Sequence, residues 1–345
     1  MRIVGYTTTT NSRDVQVGDL SADGTTITRL ADLDDFWADP AGIMAAPPAG
    51  DPVPVTGVRL VPPVLPQARV ICIGLNYFEH VAEGSFRDEK LPDYPTLFAR
   101  WSRSLTVDGA RVPVPADEDG LDWEGEIVAW VGSRLVDATP EEALTAVVGY
   151  STFNDLTSRR AQKLTSQWIL GKNGDKSGPL GPMVPADEVG DLRDGLLVQT
   201  RVNGTTVQKG TTDQMFYTVG DTLAHISRIF TIEPGDILAT GTPSRCRLRP
   251  HPCLAAAARR CRRGRGRPAR RPPQHHRRQP GPPYLHHPMT PHSPPGRRRQ
   301  WVPRVRRRTA LARPRGSVAR TDTQLDPRRE VQGPSRVTVV ASVGL

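Results

Sequence analysis

Over the first 244 residues, apolar positions come mostly in short runs or strict alternation, and few stretches carry a helical period. Val70-Ile71-Cys72-Ile73 and Ile127-Val128-Ala129-Trp130-Val131 are short, continuous and rich in β-branched residues, which predicts strands buried on both faces. Further strands are predicted at 147–153 and 237–240. Leu196–Val202 alternates, meets the turn signal Asn203-Gly204 and returns through 205–208, so a β-hairpin is expected there. Helical signals are fewer. A short helix is predicted over 74–84 with Gly84 closing its C-terminus, another at 140–146 with Pro140 in its first turn, and a third at 221–230. Residues 1–60 alternate short strands, such as 2–6, with turns such as Asp23-Gly24, and run into a Pro/Ala-rich connection near 45–54. The pattern predicts a mixed α/β, strand-rich fold: a small β-rich N-terminal module over 1–60, then a main domain over 61–244.

Composition changes this picture at one place. The chain has 345 residues and a net charge of +10, but the average hides a break at Ser244. Residues 245–345 hold 26 Arg, no Lys and three acids, a net of +23, whereas residues 1–244 carry a net of −13. The same tail holds three of the four Cys, six of the eight His and 16 of the 34 Pro. The front part is an acidic globular sequence whose one cysteine, Cys72, sits in an apolar run and is expected to be a buried, inert thiol. The first residues contain no apolar signal-peptide core, and no stretch approaches the ~18 apolar residues of a membrane span. A cytoplasmic protein that does not enter the membrane is the expectation.

The candidate chemistry centres on L-D-W-E-G-E-I (121–127). Residues two apart on a strand share a face, so Glu124 and Glu126 project together. Adjacent carboxylates repel unless a positive charge lies between them, and a hard divalent cation meets that need. Asp155, at the end of a predicted strand, offers a third carboxylate. His80 and Glu83 stand three apart on the predicted helix, where a carboxylate can orient an imidazole as general base. Lys172 lies in the Gly-rich segment Gly171-Lys172-Asn173-Gly174. Spacing alone also fits solvated acids at a strand end, a surface His–Glu pair and a solvated lysine.

Read together, the motifs resemble the fumarylacetoacetate hydrolase family. They are I-G-L-N-Y-F-E-H-V-A-E (73–83), P-T-L-F-A-R (95–100), L-D-W-E-G-E-I (121–127) and G-Y-S-T-F-N-D-L-T-S-R (149–159). They continue with Q-W-I-L-G-K-N (167–173), G-P-L-G-P (178–182), V-N-G (202–204) and E-P-G-D-I-L-A-T-G-T-P (233–243). The resemblance implies strands rolled into a distorted barrel or sandwich, usually in a homodimer. It also implies Mg²⁺ or Mn²⁺ held by Glu124, Glu126 and Asp155. The implied reaction cleaves a carbon–carbon bond of an acylpyruvate-type 2,4-dioxo acid. His80 and Glu83 would activate water, and the metal and Lys172 would stabilise the enolate left behind. Oxaloacetate decarboxylation and isomerisation of an unsaturated dioxo acid are alternatives on the same site. Gln162 and Thr242 match positions near the substrate. His225 matches no site motif and reads as structural. Arg100-Trp101 stand where many members have Lys-Pro, Arg160 stands where Asp is common, and Asn173–Ser177 departs from the commoner loop. Arg100 is therefore assigned to substrate contact, and the substrate stays open.

After T-G-T-P the family pattern is a Gly-Val-Gly turn, a Pro-Gly-Asp turn and two closing strands. Here the chain turns to R-C-R-L-R-P-H-P-C instead. A real Arg-rich tail would bind nucleic acid or an acidic surface, giving salt-sensitive binding that truncation at Ser244 abolishes. The genetic code offers another account. Taking the last two bases of each codon with the first of the next, from Arg245 to Arg267, permits G-V-G-F-A-R-T-P-A-W-x-L-R-P-G-D-V-V-E-V-E-V. Residues 268–280 permit L-P-A-V-R-L-N-T-I-V-A-N. Both resemble the family ending. A one-base frameshift near codon 244/245 accounts for them, and makes 245–345 an off-frame, Arg/Pro-rich segment expected to be disordered, nucleic-acid binding unlooked for, and the product poorly soluble and weakly active or inactive. Resequencing codons 235–290 decides whether the shift is a sequencing error, which one base missing or extra would show, or a real ending. An unchanged sequence would show the latter, and would mean a decaying gene or an Arg-rich tail with a role of its own.

Overall fold

The computed structural model describes residues 1–8, 14–48, 50–78 and 93–243, together with the backbone of 321–326 and 335–343. All belong to one compact unit, Met1–Arg260 with Pro314–Leu345; the second unit, Cys261–Arg313, lies outside the described residues.

The N-terminal residues form β1 (Ile3–Thr7), β2 (Gln16–Leu20), β3 (Thr26–Asp32), β4 (Val53–Pro54) and β5 (Arg59–Val61), an antiparallel sheet in the order β4-β3-β2-β1-β5. Between β3 and β4 lie two short helices, Leu33–Ala38, which carries Phe36 and Trp37 inward, and Pro40–Ala45. The main domain continues with β6 (Arg69–Gly74), β7 (Thr96–Trp101), β8 (Leu105–Val107), β9 (Arg111–Pro113), β10 (Gly125–Val131) and β11 (Val147–Asn154). It goes on through β12 (Gly178–Leu180), β13 (Val184–Pro185), β14 (Leu196–Val202), β15 (Thr205–Thr211) and β16 (Ile237–Ala239). Its central sheet has the order β7-β6-β16-β10-β11-β12-β8, with β13 also on β11. The result is a strand-rich mixed α/β fold with short helices.

The continuous apolar runs lie in the middle of this sheet, as a strand covered on both faces requires. On β10, Ile127, Ala129 and Val131 enter one core cluster, while Val128 and Trp130 enter the other. The neighbours keep this phase: Ile71, Ile73 and Leu238 join the first cluster, and Val70, Cys72, Ile237 and Ala239 the second. The second cluster also takes Ile3, Val17, Phe36 and Trp37 from the N-terminal module. Trp37 stacks on Trp130 with ring centroids 5.6 Å apart, so the two segments share one apolar interior.

Several predicted elements shift. The hairpin signal at Asn203-Gly204 is met, with Asn203 and Gly204 both at positive φ. The helix placed at 221–230 is Val219–Ser227, because Thr218 caps it by accepting from the Asp221 amide at 3.1 Å. The helix placed at 74–84 does not begin at Gly74, which closes β6; Leu75 takes φ 59° and Tyr77 bridges Met215. Its remainder, with His80 and Glu83, lies outside the described residues. The tail also departs from expectation in two places: β17 (Thr321–Asp326) and β18 (Ser335–Val343) are strands. The run Val337-Thr338-Val339-Val340 is β-branched and suits pairing. They complete a third sheet, β15-β14-β18-β17-β9, with Leu196 to Val202 on β14 paired to Val343 to Val337. No helix among the described residues is long and apolar enough to cross a membrane.

A chain ending at Ser244 would leave one edge of β14 and the pairing edge of β9 bare. Such a truncation is expected to aggregate on gel filtration and melt at lower temperature than the full chain. Unchanged melting and elution would show that the third sheet does not depend on the tail strands.

Candidate metal centre

The register of β10 on β11 builds the site. Gly125 pairs with Asn154, so the next residue outward on each strand, Glu124 and Asp155, come together, and the Asp155 amide donates to the Glu124 carbonyl at 2.8 Å. Asn154 reaches back with Oδ1 to accept from the Glu124 amide at 3.1 Å. Glu126 follows two residues along β10, and all three carboxylates are buried. Their ligand atoms lie within 4.8 Å of one another.

The turn after β16 closes one side. Thr240 Oγ1 donates to the Ile127 carbonyl and Thr242 Oγ1 to the Gly125 carbonyl, both at 2.9 Å. Between them Gly241 presents its amide to Glu126 Oε2 at 3.1 Å. Gly241 has φ 87°, and a Cβ there would meet the Ile73 carbonyl and Asn76 Cβ at 3.0 Å, so glycine is required. Asn76 is buried and ties the end of β6 to this turn, donating to the Thr240 and Tyr217 carbonyls and accepting from the Tyr217 amide.

Three cations surround the acids. Lys172, at the end of the helix Ile169–Lys172, donates to Glu124 and Asp155. Burial pulls its pKa down, but Asp155 and Glu124 outweigh that and hold it above the usual lysine value, so the ammonium stays charged. Arg100 on β7 donates to the other oxygen of Asp155. Arg159 donates to Glu124, to Asp122 Oδ2 at 2.6 Å and to Gln162 Oε1 at 2.7 Å. Glu126 is different: burial, and then Asp155, push its carboxyl well above the usual range, with Lys172 opposing. Its Oε2 accepts from a neutral amide, that of Gly241.

A hard divalent cation fits this donor set: three buried carboxylates, oxygen only, with the carboxyl of Glu126 short of positive charge. Of the residues singled out from sequence, Glu124, Glu126, Asp155 and Lys172 form one cluster. Gln162 joins it through Arg159, and Thr242 through the Gly125 carbonyl and Gln208. Arg100, assigned to substrate contact, has a side chain with no exposure and is engaged by Asp155 and Ser177. His80 and Glu83 lie outside the described residues. His225 sits on the helix Val219–Ser227, its ring stacked 5.0 Å from Tyr94. Cys72 is buried, and burial raises its thiol pKa, which leaves it unreactive. Sequence reasoning missed Arg159, although it closes the 149–159 motif, and Asp122. It also missed Gln208, a buried amide that accepts from the Gly125 amide at 3.0 Å and donates to the Pro243 carbonyl at 2.7 Å. Its only signal was a polar residue on the inward face of a hairpin strand.

Known proteins agree with this architecture. A family model described as fumarylacetoacetate (FAA) hydrolase, C-terminal, matches residues 69–265. Oxaloacetate tautomerase YisK of Bacillus subtilis is 36% identical over 192 residues, 54% of this chain and 62% of that protein. A 2,4-didehydro-3-deoxy-L-rhamnonate hydrolase of a Sphingomonas strain is 35% identical over 193 residues, 55% and 63% respectively. The chain thus spans less than two thirds of these relatives' length. The solved fumarylacetoacetate hydrolase of Exiguobacterium antarcticum superposes with a TM-score of 0.56 at 30% identity, covering 71% of this chain and 87% of that one. With more than half of its length matched by the family model and the acidic cluster on the matched strands, the chain belongs to the fumarylacetoacetate hydrolase family.

Proposed function

We propose that the protein is a Mg²⁺- or Mn²⁺-dependent hydrolase that cleaves a carbon–carbon bond of acylpyruvate-type 2,4-dioxo acids. The observation that carries this reading is the convergence of Glu124, Glu126 and Asp155 on one buried point beside a charged Lys172. These three carboxylates would hold the cation, which supplies Lewis acidity and a chelation point for a 2-oxo acid. The chain's own residues do the rest. Lys172 is sealed from water and keeps its proton, so it offsets negative charge that develops on the substrate oxygen. Arg159 holds Glu124 and Gln162 in a fixed relation on the same side. His80, oriented by Glu83, removes a proton from water as it attacks the distal carbonyl. The bond to the central carbon then breaks, and the pyruvate-like enolate takes up a proton. A homodimer in the cytoplasm completes the proposal.

A second reading has support of its own. Keto–enol interconversion of oxaloacetate needs the same enolate without the attacking water, and a relative 36% identical carries that activity in its name. Oxaloacetate decarboxylation uses the same site. A panel of acylpyruvates against oxaloacetate, with and without Mg²⁺ or Mn²⁺, separates the three: carboxylic acid release, loss of enol absorbance or release of carbon dioxide.

The general-base role assigned to His80 and Glu83 from the family motif, and the buried acidic cluster, each give a test. His80→Ala and Glu83→Gln are expected to lower kcat for acylpyruvate cleavage by roughly 10²–10⁴-fold while leaving metal binding unchanged; full activity in both would remove the general base from the proposal. Metal binding must deprotonate Glu126, whose carboxyl is raised by burial. Affinity for Mn²⁺ is therefore expected to rise with pH through that raised value, with proton release visible as buffer-dependent calorimetric heat. A pH-independent affinity would contradict this assignment.

A further inference from the structure

The two places where the chain departs from the family pattern, Arg100-Trp101 and Asn173–Ser177, touch each other. Arg100 lies on β7 and its guanidinium is wholly buried. One nitrogen donates to Asp155 Oδ1, the other to Ser177 Oγ at 2.5 Å. The Ser177 hydroxyl in turn donates to the Lys172 carbonyl at 3.2 Å. The guanidinium carbon lies 5.5 Å from the centre of the Phe153 ring. Gly178 packs against the same place: a Cβ there would stand 2.8 Å from Leu105 Cδ2, 3.1 Å from Phe153 Cε2 and 3.2 Å from the guanidinium nitrogen. Beside it, the Trp101 amide donates to Asn173 Oδ1 at 2.7 Å, and Asn173 Nδ2 donates to the Ala99 carbonyl at 3.2 Å.

We infer that Arg100 and Ser177 form a coupled positioning pair that fixes Asp155 and the Lys172 loop relative to each other. The physical ground is the fork of the guanidinium. It offers two nitrogens in one plane, so it can bind a carboxylate and a hydroxyl together. A lysine at this position would bring a single nitrogen, and the Ser177 hydroxyl would lose its donor. Arg at 100 and Ser at 177 thus complement each other. With Asp155 Oδ1 held by Arg100 and Oδ2 by Lys172, the carboxylate has one orientation in the cluster. Arg100 acts through Asp155 and is a positioning residue, not a catalytic one.

This inference rests on the proposal that Asp155 holds the metal, and the test separates the two. Mn²⁺ binding is measured by titration calorimetry, and thermal unfolding followed in parallel, on the full-length protein and its Arg100→Lys, Ser177→Ala, Arg100→Lys/Ser177→Ala and Asp155→Asn variants. Removal of outer partners of metal ligands weakens binding about 10–100-fold, and Arg100→Lys is expected in that range. The same substitution made in the Ser177→Ala background is expected to cost clearly less, since the second hydrogen bond is already gone. Additive effects of the two substitutions, or wild-type affinity in Arg100→Lys and Ser177→Ala, would overturn the pairing. Loss of binding in Asp155→Asn alongside those results would leave the metal site standing, whereas wild-type binding in Asp155→Asn would sink the metal reading itself. The Ser177→Ala variant removes only a hydroxyl, so it keeps the test valid if Arg100→Lys unfolds.

Discussion

Buried negative charge is the constraint on which the rest of this structure depends. Glu124, Glu126 and Asp155 are brought within a few ångströms of one another by the register of two strands, and three like charges removed from water cannot persist without compensation. The fold answers from three directions. Lys172 reaches in from a short helix, Arg100 from β7 and Arg159 from the segment after β11, and each is hydrogen-bonded to the acids it neutralises. Such pairs contribute little net stability once desolvation is counted, but breaking one leaves an uncompensated charge, so the arrangement fixes geometry more than it strengthens the fold.

The scaffold around the acids is correspondingly stiff. β10 is buried along its whole length, and its two faces feed separate apolar clusters, so the strand that carries Glu126 cannot slip by one residue without turning both cores inside out. The turn at Thr240-Gly241-Thr242 is hydrogen-bonded to the same strand at alternate carbonyls, and Asn76 binds that turn to the end of β6. A chemical site on such a frame gains its precision from strands and not from loops.

How much of this was legible in the sequence depends on what each residue's neighbours reveal. The β10 run announced itself by continuous β-branched residues, and Glu124 and Glu126 by their spacing. Asp155 could be suspected from its place after a strand. Lys172 and Gln162 became meaningful only through family motifs, because nothing local marks a lysine that will be enclosed by acids from other strands. Gln208 was illegible for the same reason: its partners, Gly125, Thr200 and Pro243, are distant in sequence. The helix expected over 74–84 does not start at Gly74, because Leu75 adopts a left-handed conformation that periodicity does not report. The strands at 321–326 and 335–343 were hidden by the arginine and proline content around them, which dominates any compositional reading.

The third sheet has a consequence for the order of folding. Leu196 pairs with Val343, so β14 meets one of its two neighbours only after the long Arg- and Pro-rich stretch has left the ribosome. The hairpin β14–β15 forms from local contacts, but its other edge waits on a closure of very long range, and such closures are slow because chain entropy must be lost first. During synthesis this sheet would therefore stand half-assembled, with the β14 edge exposed to pairing with other chains.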